Sequence, residues 1–81
     1  PFNPETTIQF NLPWEAPIKV EIYNHTGQLV TTLIDSHMGP GNFSVTWDGR
    51  DSNGSAVASG VYIYKITSID LNLSKKVTLL K

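Results

Sequence analysis

The densest group of side chains able to do chemistry is Asp48, Asp51 and Asn53, oxygen donors that lead into Gly54. Carboxylate and amide oxygens crowded into a glycine-containing loop are what a hard cation such as calcium requires. The spacing departs from an EF-hand loop, and no glutamate follows to supply a bidentate ligand. The competing reading is conformational, because Asp and Asn side chains bond nearby backbone amides and so shape long turns. The turn is the better-supported reading, with Asp48, Asp51 and Asn53 kept as a candidate calcium loop. No other metal and no cofactor is expected.

The remaining reactive side chains form no recognisable set. His25 and His37 both fall in expected turns, with no neighbouring cysteine, glutamate or second histidine at ligand spacing, and read as surface residues. Serine is plentiful, but none lies in a Gly-x-Ser-x-Gly elbow, and no Ser-His-Asp arrangement can be nominated. Catalytic residues are therefore not assigned, and the chain is not expected to be an enzyme. Trp14, Trp47, Tyr23, Tyr62 and Tyr64 could in principle stack on sugar rings. Alternation puts Trp47 with Phe43 and Val45, and Tyr62 with Tyr64 and Ile66, so these rings are expected in the core. Trp14, between Pro13 and Glu15, is the one aromatic expected to be exposed. Sequons at Asn24, Asn42, Asn53 and Asn72 arise easily in a chain rich in Asn, Ser and Thr.

The elements that must position these residues follow a period of two. Ile8, Phe10 and Leu12 alternate with Gln9 and Asn11, and Ile18, Val20 and Ile22 alternate with Lys19, Glu21 and Tyr23, as half-buried strands require. After the Asn24–Gly27 turn, a third strand spans Gln28 to Ile34 with less regular alternation. Asp35 to Asn42, containing Gly39-Pro40-Gly41, reads as a loop. Phe43, Val45 and Trp47 define a fourth strand. Asp48 to Gly54 is a polar connection whose Asn53-Gly54 pair is a hairpin signal, and Ser55–Ala58 is a short strand at most. Val61 to Ile69 is apolar on both faces, the pattern of a mid-sheet strand covered on both sides. Leu73 to Lys81 forms the last strand. About seven strands with no helical period predict an all-β fold, an antiparallel β-sandwich of immunoglobulin type.

Eighty-one residues, 40% of them hydrophobic, provide one domain and one core. Six basic against seven acidic residues give a formal charge of −1 without charge runs. A nucleic-acid partner would call for a clustered basic face. No apolar stretch approaches a membrane span, and there is no cysteine for a disulfide framework. A monomer is expected.

Several ordered segments resemble a known family. Pro1-Phe2-Asn3-Pro4 and Thr6-Thr7-Ile8-Gln9-Phe10-Asn11-Leu12-Pro13 resemble the opening of C-terminal sorting domains of the bacterial type IX secretion system. They equally resemble the related immunoglobulin-like domain named after the flagellar hook-capping protein. The likeness continues through Val20–Val30, Val45-Thr46-Trp47-Asp48-Gly49, Ala58-Ser59-Gly60-Val61-Tyr62-Ile63-Tyr64 and the ending Lys75–Lys81. It implies a single immunoglobulin-like module, residues 1–81, cut from a larger secreted bacterial protein. The function expected first is secretion and cell-surface attachment of that protein, through the periplasm to the outer-membrane exterior. The partners would then be the outer-membrane translocation machinery and upstream domains of the same chain. Lys75, Lys76, Val77, Leu79 and Lys81 would form the recognition region, by addition of the last strand to a partner's sheet; the other reading of the lysines is a solvated strand face and an edge guarded against aggregation. The alternatives are a structural or adhesive spacer of hook-cap type, and a carbohydrate-binding accessory to a secreted hydrolase.

Overall fold

The structure is a computed structural model that describes residues 5–69 and 71–80. Six strands follow in chain order: β1 (Thr6–Leu12), β2 (Ala16–Asn24), β3 (Leu29–Met38), β4 (Gly41–Trp47), β5 (Gly60–Thr67) and β6 (Asn72–Leu79). β1 and β4 form a two-stranded antiparallel sheet, and β3-β2-β5-β6 form a four-stranded one. Alternation decides which face each strand buries. In β2, Ala16, Ile18, Val20 and Ile22 are buried while Pro17 and Lys19 are exposed. Across the smaller sheet, Ile8 lies opposite Val45 and Phe10 opposite Phe43. The inward residues of both sheets meet in one core, where Ile18, Val20, Ile22 and Ile66 join Ile8, Phe10, Leu12 and Trp47. Burying each such side chain contributes roughly 1.5–3 kcal/mol before chain entropy is subtracted.

The expected β-sandwich is what forms, with six strands among the described residues rather than about seven. Ser55–Ala58 does not become a strand. Its backbone bonds go to its own loop, Ser55 N to Asp51 Oδ1 and Val57 N to Gly49 O, leaving the single bridge Arg50–Ala56. β3 runs on to Met38, through the stretch expected to be a loop. Asp35, Ser36 and His37 are polar, yet an exposed edge strand accommodates them, paired with Lys19, Ile18 and Pro17. The weak alternation of this strand has a geometric cause. Two register shifts leave Val30 and Leu33 as extra residues, and both pack against the core beside Ile34.

β5 does lie inside its sheet, between β2 and β6. It is covered on one face only. Tyr62 and Ile66 are buried, Tyr64 is half-buried rather than buried, and Val61 on the opposite face is exposed. Among the described residues no second layer covers that side, because both sheets contribute to a single core.

Strand directions place Thr6 and Leu79 at the same end of the sandwich. That end also carries the Asn24–Gln28 turn and the 48–59 connection. The opposite end is built from Pro13–Glu15, Gly39-Pro40 and the Ser68–Leu71 turn, closed by Ser68 N donating to Leu71 O.

Candidate functional site

The loop after β4 uses its side chains to hold itself. Asp51 Oδ1 accepts from Asn53 N and from Ser55 N, each at 3.0 Å, and Asp48 Oδ1 accepts from Arg50 N at 3.2 Å. Arg50 Nη1 donates to Gly54 O at 2.9 Å, which folds the guanidinium over the turn. Gly54 takes a φ of +81°, a left-handed value that suits glycine. Ser52 then ties the loop to β3 through Val30 O. Asp48, Asp51 and Asn53 thus come together as neighbours in one turn. Two of their oxygens are turned toward backbone amides. His25 and His37 stay apart, and among the described residues no three His, Asp or Glu side chains cluster at metal-binding reach.

Beside this loop, Trp47 is 1% exposed and Tyr62 8%. Their rings meet edge to face with centroids 5.2 Å apart. Trp47 Nε1 donates to Arg50 O at 2.9 Å, and Tyr62 Oη donates to Ala58 O at 2.7 Å. A buried tyrosine near the start of a strand, bonded to backbone a few residues upstream, is the tyrosine corner of immunoglobulin-like folds. Sequence reasoning placed both rings in the core and missed this bond. The signal available was a tyrosine two residues into the strand that follows the longest connection.

β6 is an edge strand, paired among the described residues with β5 alone. Register puts Lys75, Val77 and Leu79 on the inward face, opposite Tyr64, Tyr62 and Gly60, and Lys76 on the outward face. Lys75 and Lys76 are exposed, Val77 is half-buried, and Leu79 is 2% exposed and part of the core. The nominated recognition residues therefore do not share one accessible face, and Lys81 lies outside the described residues. A charged residue on the inward face of an edge strand discourages another chain from adding there. Deleting the strand to test recognition would also uncover the core at Leu79.

At the end remote from Thr6 and Leu79, a cleft of about 320 Å³ opens among Leu12, Pro13, Trp14, Ala16, Ile69 and Leu71. Trp14 is 62% exposed and Ile69 78%. Glu15 on the rim faces His37, with oxygen and nitrogen 3.5 Å apart. Of the aromatic rings considered for sugar stacking, Trp14 is the most exposed, and the cleft around it is lined mainly by apolar side chains. On the outer face of the larger sheet, Lys65 Nζ sits 5.7 Å from the Tyr23 ring centre. Partial burial, then a hydrogen bond and the charge of Glu21, hold the Tyr23 hydroxyl above its ordinary pKa.

The two packed antiparallel sheets and the tyrosine corner define the class, an immunoglobulin-like β-sandwich module. The family model described as the FlgD Ig-like domain matches residues 3–71, and the chain belongs to that family. The crystal structure of FlgD from P. aeruginosa is similar at a TM-score of 0.70, with 27% identity over 93% of this chain and 57% of that one. FlgD from Xanthomonas campestris, described through the hook capping essential for flagellar assembly, has a TM-score of 0.56 and 24% identity. That likeness covers 95% of this chain and 64% of the other, and shows the shared fold. The chain thus spans less than two thirds of either FlgD structure. Among curated proteins, none matches. Of the two related families that the sequence resembles, the matches fall on the hook-capping side.

Proposed function

We propose that the chain is a structural, non-catalytic immunoglobulin-like module of a flagellar hook-capping type of protein, exported to work outside the cell. The observation that carries this reading is the family match across residues 3–71. The placement of Thr6 and Leu79 at one end supports it mechanically. A module tethered from that end holds the opposite one, with Trp14 and Ile69, free to meet neighbours in an assembly. The test is a chimera in which this chain replaces the immunoglobulin-like domain of P. aeruginosa FlgD. Hook assembly and swimming should return; a folded, exported chimera that leaves cells without hooks overturns the proposal.

The sorting reading rests on the sequence resemblance alone, and its test falls on β6. The family match stops at residue 71, so β6 with Lys75 and Lys76 lies beyond it. Both lysines are exposed, which makes them a cleaner probe than truncation. Under this reading, a reporter fused to the module in a host with type IX secretion reaches the surface, and K75A/K76A keeps it inside. Unimpaired delivery by that variant refutes the reading.

A further inference from the structure

The four sheet edges are not equally protected. The larger sheet ends in β3, which carries two bulges with Asp35 and His37, and in β6, which carries Lys75 and Lys76. Bulges and charged residues are the devices by which edge strands avoid pairing with another chain. The smaller sheet has none of them. β1 (TTIQFNL) and β4 (GNFSVTW) contain no charge and no proline, and their seven-residue register runs without a shift. Among the described residues no third strand pairs with either, so both outer edges present unpaired backbone groups.

The two strands also pair like with like. The Thr7 and Thr46 hydroxyls are 3.3 Å apart, Asn11 Nδ2 donates to Asn42 Oδ1 at 2.7 Å, and the Phe10 and Phe43 rings stack at 5.6 Å. A strand suited to this edge is therefore short, uncharged and unbulged, with small polar residues outward and apolar ones inward. The chain carries such strands itself. Burial selects the edge. Ile8, Phe10 and Leu12 of β1 are already buried, whereas Phe43 and Val45 of β4 are only half-buried. A strand added beside β4 would cover them.

We propose that the free β4 edge is a self-association site. Two copies join antiparallel, β4 to β4, and merge their two-stranded sheets into a four-stranded one. A two-fold axis makes the contact closed, so it ends at a dimer. The monomer expected from the sequence is then the state at low concentration. Sedimentation velocity from micromolar to millimolar chain tests this, with amide exchange of β4 as a second readout. A dimer should form, with slowed exchange at β4 and not at β6. S44K places lysines near one another across the axis on an exposed outward position, and should weaken the dimer at least about tenfold. Q9K on β1 should leave the dimer intact. A monomer throughout the range overturns the proposal. So does a dimer indifferent to S44K, or one broken by Q9K alone.

Discussion

Replacing Tyr62 by Phe keeps the ring against Trp47 and removes only the hydroxyl that donates to Ala58 O at 2.7 Å. A neutral hydrogen bond of this kind contributes about 0.5–1.5 kcal/mol net. The 2.7 Å distance and the near-complete burial of Tyr62 place it toward the upper end. Ala58 is itself exposed, so water can take up its carbonyl, and the penalty for an orphaned acceptor is small. The expected loss is about 1–1.5 kcal/mol. In a domain of this size, where ~1 kcal/mol shifts Tm by roughly 4–8 °C, that means a fall of about 4–12 °C. Urea unfolding followed by circular dichroism, with a parallel thermal scan, measures both quantities. Tyr64→Phe is the internal control. Tyr64 is half-buried on the same face, its hydroxyl has no partner among the described residues, and its loss should stay within about 0.5 kcal/mol. If the two variants are equally stable, the corner does not hold the 48–59 connection to β5 and the reasoning fails.

Asp51→Ala removes an oxygen that serves two backbone amides, and should cost about 1–2 kcal/mol equally with and without calcium. A calcium-dependent difference in denaturation midpoint would reveal a cation role for the loop. Leu79→Ala opens a cavity at a fully packed position of β6 and should cost about 2–5 kcal/mol, read by urea unfolding. At Tyr23 the protonated phenol is favoured in the folded chain, so its contribution is complete below the ordinary value near ~10 and is lost as pH rises through the folded one. Tyr23→Phe should accordingly flatten the alkaline decline in stability, measured by Tm between neutral pH and about pH 11.

Alternation carries far in this chain because each sheet buries one face. Ile18, Val20 and Ile22 could only be read one way, and they lie as read. The reading failed where alternation itself failed. In β3 two bulges turn Val30 and Leu33 inward out of step. A period-two template applied to that stretch ends the strand too early. Asp35 to His37 compounded the error, since a polar run in an edge strand looks like a loop when its neighbours are unknown. Val61 and Ile63 misled in the opposite direction. Apolar residues on both faces of a strand suggest two covering layers, yet here Val61 is exposed and Ile63 only half-buried.

The candidate sites divide along the same line. The Asp48–Gly54 loop was legible because its bonds are local, spanning two to four residues. The exposure of Trp14 was legible from its proline and glutamate neighbours. Edge protection was legible only at Lys75 and Lys76, which could be read as guarding an edge, because which strands are edges depends on which end up beside one another. From the family resemblance, β6 with its basic end looked like the strand to offer a partner. The sheet order makes β6 an edge that carries Lys75 and Lys76, and leaves the uncharged strands β1 and β4 as edges too. A strand's residues set what it could pair with; topology sets whether the place beside it is taken. The missing charge in β1 and β4 therefore gains its meaning only from a two-stranded sheet, in which every strand is an edge.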